Sequence, residues 1–304
     1  MKIYINSPKE SWIVDRFVDE WKIYNPNLTT NFISRSDIVW IIAPWTWRRL
    51  SKKQLLQKKV VCTIHHFDHN KFDDKEFKDL DEYVDVYHII TKKSEKFLSE
   101  ITNKKYFYSP FWIDSKKFFY IKNKEDLRKK FGFNQNDYLV GSFQRDTEGS
   151  DNKSPKMEKG PDNFVKIVKT LSDEHKNLKV VLTGKRRNYV ISELENYNIQ
   201  YKYLPMTNFE NLNKLYNTLD LYIVASRVEG GPQSILECAL TKTPVISTDV
   251  GIANTILNQK SIFKLNDKTL GVPDVNYAYE KVKSLTIPDG FKPFKDQFMK
   301  IYEN

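Results

Sequence analysis

Residues 220–257 read DLYIVASRVEGGPQSILECALTKTPVISTDVGIANTIL, and the fold is decided here. The order of apolar runs and breakers predicts strand, loop, helix, strand, loop, helix. Residues 221–225 are an unbroken apolar run, the pattern of a parallel strand covered on both faces. Arg227, Glu229, Gly230 and Gly231 stop it. Pro232 then suits the first turn of a helix, where a missing N–H costs nothing. Ile235, Leu236, Cys238, Ala239 and Leu240 carry that helix on, and residues 244–248 are the next apolar strand. The unit is a βαβ crossover.

The chemistry of this stretch sits at its first strand-to-helix turn. Gly230 and Gly231 let the backbone approach a ligand closely, and the helix start at Pro232, Gln233 and Ser234 aims free N–H groups outward. Such a terminus is a ready site for phosphate. Two carboxylates flank it, Glu229 in the loop and Glu237 inside the helix between Leu236 and Cys238. A carboxylate on an apolar helix needs hydrogen-bonding partners, and sugar hydroxyls would supply them. The alternative is structural: Glu237 pairs with a buried arginine and Glu229 is a solvated loop acid.

The run Ser226, Glu229, Gly230, Pro232, Leu236, Glu237, Pro244, Val245, Thr248 and Gly251 closely resembles the signature of retaining glycosyltransferases of family four. That signature has the form S-x-x-E-G-x-P-x-x-x-L-E-A followed by P-V-I-x-T-x-x-G. Cys238 stands where the alanine is usual and Lys242 where a glycine is usual. The resemblance implies that Glu229 holds the sugar of a nucleotide-sugar donor and Glu237 the nucleotide ribose. It also implies the GT-B architecture: α/β, two Rossmann-like lobes facing across a cleft, with the C-terminal helix returning to the first lobe.

The rest of the chain agrees with an α/β reading. Its 304 residues suffice for two domains with proper cores. With 29% charged and 40% hydrophobic residues and no low-complexity tract, it is a folded chain. Strands are expected at 2–5, 37–43, 60–64, 86–91 and 105–109, with helices at 10–24, 46–59, 73–83 and 92–102. This first lobe covers residues 1–112, with the C-terminal helix 291–304 added to it. Residues 113–136 read as a linker with a short helix. The second lobe, 137–290, begins with a strand at 138–143. It has further strands near 178–183, 200–204, 220–225, 244–248 and 262–265, and helices near 161–173, 188–196, 209–217 and 232–241. Alternation of this kind argues parallel sheets.

Further positions extend the resemblance. Gly141 ends a strand, Arg145 follows it, and Lys159-Gly160 opens the next helix. In the family, cations so placed clamp the donor diphosphate, which suits a leaving group that gains negative charge. Gly184 ends another strand, with charged residues 185–187 after it, and Met206 falls where the nucleobase is usually seated. His65, at the end of the strand VVCTIHH, corresponds to the histidine that faces the donor sugar. One departure stands out: relatives carry a glycine-rich loop after the first strand, and this chain reads NSPKESW there. The implied activity is transfer from a UDP- or GDP-linked sugar to a glycan or lipid-linked acceptor, as in polysaccharide biosynthesis. It needs no cofactor or metal.

Two other classes compete. A metal-dependent transferase would use Asp79-Leu80-Asp81, but that pair lies in an acidic run better explained as a solvated helix. His65, His66, Asp68 and His69 read poorly as a metal site, because consecutive residues at a strand end rarely converge on one ion. A nucleic-acid-binding module would account for the net charge of +10, yet basic and acidic segments alternate instead of forming one groove. Cys62 and Cys238 make no motif, and no signal peptide or membrane-spanning run is read, so the cytoplasm is the expected compartment. Residues 46–59, TWRRLSKKQLLQKK, with Trp45 just before them, read as a basic helix. It is either an ordinary covering helix of the first lobe or, with 45–59 as a whole, one able to press against an anionic membrane surface.

Overall fold

The computed structural model describes residues 1–10, 13–69, 71–149, 151–265 and 269–303. It divides into two compact units, Met1–Trp112 with Leu285–Asn304, and Ile113–Ser284. Each carries its own parallel sheet.

In the first lobe the strands are β1 (Ile3–Ile5), β2 (Ile38–Ile41), β3 (Lys59–Ile64), β4 (Val86–Ile89) and β5 (Lys105–Tyr108), side by side in that order. They are near-continuous runs of Val, Ile and aromatic residues because both faces are covered. Helix α1 (Ile13–Tyr24) packs on one face with the C-terminal part of the chain. Helices α2 (Lys52–Leu55), α3 (Asp74–Asp81) and α4 (Lys93–Ile101) supply Leu55, Phe77, Leu80 and Leu98 to the other. After α1 the chain touches the outer edge of β1, where Thr29 bridges Ile3 in parallel. It then crosses to the opposite edge to form β2, which places a change of winding direction beside β1.

The second lobe begins with α5 (Lys124–Lys130), then β6 (Tyr138–Ser142), α6 (Pro161–Glu174), β7 (Leu178–Thr183), α7 (Asn188–Asn196) and β8 (Tyr201–Leu204). There follow α8 (Phe209–Thr218), β9 (Leu221–Val224), α9 (Gln233–Thr241), β10 (Val245–Thr248), α10 (Ala253–Ile256), β11 (Ile262–Phe263) and α11 (Val275–Val282). The strand order is β11-β10-β9-β6-β7-β8, the doubly wound arrangement whose winding reverses between β6 and β9. Residues 113–136 belong to this unit. Arg128, only 5% exposed, donates to the carbonyl of Thr218 and to Asp220 Oδ2 at 2.5 Å, so α5 is stapled to the base of β9.

The last helix, α12 (Lys292–Glu303), belongs to the first lobe. Phe291, Phe294 and Phe298 are fully buried there among Trp21, Trp40, Phe111 and Trp112. Ring centroids 5.1 Å apart join Phe298 to Trp40, and 5.1 Å also separates Phe294 from Trp112. Such edge and tilted contacts add to what burying the rings contributes.

One expected element does not form. Residues 46–59 are not a single amphipathic helix: Pro44–Arg49 is a 3-10 helix, and α2 is one short turn capped by Ser51. Trp47 is buried, donating from Nε1 to Glu76 Oε1 at 2.6 Å. Arg48 reaches Glu76 and Asp79 on α3. These tertiary partners turn the chain before a helix can propagate, and a helix this short has no intrinsic stability to resist them. The basic helix expected to press against a membrane is therefore absent.

Candidate active site

In a doubly wound sheet, ligands bind outside the carboxyl ends of the strands where the winding reverses. In the second lobe those ends are β6 and β9, and the residues beyond them converge. β6 hands over to Phe143 and Gln144, and β9 to Ala225 and Ser226. Gln144 Nε2 donates to the carbonyl of Lys159 at 2.9 Å. Lys159 Nζ forms an ion pair with Glu229 Oε1, and Ser226 Oγ lies 3.4 Å from the same carboxylate oxygen. Lys159 and Glu229, 70 positions apart in the chain, are thus neighbours.

Two glycines make this closeness possible. Gly160 adopts φ +59°, and a Cβ there would meet the carbonyl oxygen of Ala225 at 1.8 Å. Only glycine lets the start of α6 lie directly on the end of β9, and so brings Lys159 to Glu229. Gly251, at φ +49°, faces the carbonyl oxygen of Gly230, which a Cβ would approach to 1.9 Å. Thr248 Oγ1 donates to the carbonyl of Ser226 at 2.6 Å and fixes the loop between β9 and α9 from beneath.

Glu237 is buried on α9 at 6% exposure and accepts a hydrogen bond from Tyr216 Oη at 2.7 Å. Burial beside Glu237 pushes the Tyr216 hydroxyl well above its ordinary range, so it stays a donor. Tyr222 Oη accepts from the backbone N–H of Phe143 at 2.9 Å and meets Ser234 at the start of α9. Pro232 caps that helix without a side-chain hydrogen bond.

Other expected positions lie around this cluster. Arg145 is exposed beyond β6, and no ion pair engages it among the described residues. Gly141 lies inside β6, where an added Cβ would meet Leu219 Cδ1 at 2.3 Å and Tyr222 Cδ2 at 3.1 Å. Gly184, at φ +88°, ends β7, and its carbonyl accepts from Tyr203 Oη at 2.8 Å. Met206 follows β8 and is 69% exposed. Of the charged run 185–187, Lys185 and Arg186 are exposed, whereas Arg187 is fully buried against Asp146.

His65 closes β3 in the first lobe. Its Nε2 lies 2.8 Å from the carbonyl of Ile42, so Nε2 carries the proton, and its ring packs near Trp45. Burial holds its pKa down at about 4, so the ring is neutral in neutral solution. His69 packs its ring against Phe97, 4.6 Å away, and the histidines of this stretch serve different neighbours. Asp79 is held by Arg48, while Asp81 accepts from Tyr87 and Thr102, so this pair does not act as a unit.

Comparisons with known proteins fit this geometry. Residues 123–272 match the family model described as glycosyl transferases group 1. No curated protein sequence matches the chain. Among solved structures, Anabaena Alr3699/HepE, in complex with UDP and glucose, superposes with a TM-score of 0.73 at 10% identity, over 98% of both chains. Sucrose-phosphate synthase from Thermosynechococcus elongatus gives 0.66 at 15% identity, covering 98% of this chain and 80% of that one. A glycosyltransferase from Rickettsia africae gives 0.63 at 15%, covering 98% and 84%. At such identities the likeness is one of fold, and the fold is that of two-lobed GT-B glycosyltransferases. The group 1 domain over residues 123–272 makes the protein a glycosyltransferase.

Proposed function

We propose that this glycosyltransferase moves a sugar from a UDP- or GDP-linked donor to a glycan or lipid-linked acceptor, with retention at the anomeric carbon. The observation that carries the reading is the Lys159–Glu229 pair at the β6/β9 reversal, beside the start of α9, which no side chain caps. Lys159 and Arg145 meet the donor diphosphate, where charge grows as the sugar departs. The N–H groups of Gly231, Gln233 and Ser234 add a helix terminus to the same anion. Glu229, oriented by Lys159, accepts from the hydroxyls of the donor sugar. Glu237, oriented by Tyr216, accepts from the ribose, and Met206 flanks the base. His65 is proposed, on the family resemblance, to serve the donor sugar as a neutral ring.

The cations stand in for a divalent ion, and turnover is expected to persist in chelator. A lipid-linked acceptor would put the enzyme at the cytoplasmic face of a membrane. With the basic helix absent, that contact would fall to the exposed Trp45, Arg49, Lys52 and Lys53.

Thermal shifts with UDP- and GDP-sugars test the donor assignment. A ligand at 100 times its Kd stabilises the native state by about 2.7 kcal/mol, and no shift with either donor class would overturn it. The anomeric configuration of the product, read by NMR, decides retention.

A further inference from the structure

We propose that the buried Asp146–Arg187 ion pair is a positioning device for donor binding: it holds Arg145 and Lys159 in register for the two phosphates. The inference rests on the donor reading above and assigns work to two residues outside the carboxylate and lysine cluster.

Asp146 is 2% exposed and Arg187 wholly buried, with Arg187 Nε 3.1 Å from Asp146 Oδ2. Arg187 Nη2 donates to Ser142 Oγ at the end of β6, at 3.3 Å. The guanidinium therefore joins the strand end before Arg145 to the carboxylate just after it. Nη1 has no hydrogen-bond acceptor among the described residues. A buried charge with donors to spare is a costly arrangement for mere packing.

The backbone of Asp146 is pinned on both sides. Its N–H donates to the carbonyl of Arg186 at 3.0 Å, and its carbonyl accepts from Lys156 at 2.8 Å. Thr147 donates to the same Arg186 carbonyl from both its N–H and its Oγ1. Thr147 also bridges Pro155 in antiparallel fashion, and Glu148 donates to Ser154. The segment between them thus leaves and returns to one point. From there the N–H of Lys159 donates to the carbonyl of Lys156 at 2.9 Å. Asp146 is the knot from which Arg145 extends one way and the path to Lys159 the other. A donor clamp made of two cations on one long loop needs such a knot, because an error of about 1 Å in positioning already costs catalysis heavily.

The test is calorimetric titration of the full-length protein with UDP and UMP, and with GDP and GMP alongside. In Asp146→Asn and Arg187→Lys, the Kd for the diphosphate should rise about tenfold, the scale of a lost hydrogen bond to charge. The Kd for the monophosphate should change far less. If either variant fails to fold, Ser142→Ala, which removes only the hydroxyl that Arg187 reaches, should shift the ratio the same way by a smaller factor. Wild-type protein that binds nucleotide, with variants that keep its diphosphate-to-monophosphate ratio, would overturn this proposal alone. Wild-type protein that binds neither UDP nor GDP would overturn the donor reading and this proposal with it.

Discussion

The two sheets of this protein reach the same situation twice, a first strand that ends where the winding reverses, and they resolve it oppositely. Beyond β1, Asn6 is buried and closes the gap with three hydrogen bonds: Nδ2 to the carbonyl of Ala43 and to Thr46 Oγ1, and Oδ1 from the N–H of Ala43. The neighbouring His65 is neutral and bonded to Ile42. Beyond β6 stand the exposed Arg145 and the half-buried pair Lys159 and Glu229, a set of opposed charges. The strand topology supplies the place in both lobes. Whether that place is sealed or charged depends on a few residues after the strand, which is why fold alone does not fix function.

The comparison can be broken at several points. The largest effect should come from Phe294→Ala, which empties a fully buried aromatic site of the first lobe and should cost about 3–5 kcal/mol. Calorimetry should show the first-lobe transition lowered and the second-lobe transition in place. Loss of both would mean that the two lobes do not unfold independently.

Lys159→Met should lower turnover about 10²-fold or more, the scale for removing one preorganised group that meets developing charge. A smaller loss, with nucleotide affinity intact, would assign Lys159 to the structure of the loop alone. Glu237→Ala should weaken free-nucleotide binding by about 1–3 kcal/mol, whereas Glu229→Ala should spare that affinity and lower turnover with the sugar donor. Calorimetric titration separates the two, and unchanged affinity in Glu237→Ala would remove the ribose assignment.

On the sealed side, Asn6→Ala should destabilise the first lobe by about 1–3 kcal/mol, because it leaves the buried Ala43 N–H unpaired. Nucleotide affinity should not change. Acid sharpens the same contrast. His65 and His88 both have pKa values depressed chiefly by burial, to about 4 and about 3. A depressed value means that the folded state resists protonation. The stability these rings contribute is therefore complete above their unfolded pKa near 6.5 and is lost as pH falls toward the folded values. Unfolding curves between pH 7 and 4 should show the first lobe weakening, and His88→Phe should flatten that dependence.

Much of this was legible in the residues. The signature from Ser226 to Gly251 is local, and local patterns of apolar runs, glycines and a helix-starting proline report directly on a strand–turn–helix. The alternation elsewhere placed nearly all of the strands and helices, since buried parallel strands read as unbroken apolar runs. The segment 46–59 was misread because its spacing suits a helix, while Glu76 and Asp79 on another element claim Arg48, and Glu76 also claims Trp47. The first-lobe departure from the glycine-rich pattern was visible, but that Asn6 fills the gap was not.

The sequence alone determined the α/β class, the second-lobe loop and helix that carry Glu229 and Glu237, and the cations near them, because each depends on neighbours within a turn or a strand. Only the tertiary structure decided which charges meet. Lys159 finds Glu229 because Gly160 lets α6 rest on β9. Asp146 finds Arg187, and Tyr216 finds Glu237, across separations that no local pattern encodes. The physical reason is desolvation: a buried charge or hydroxyl must find its partner wherever the packed sheet puts one, and that place is a property of the whole lobe.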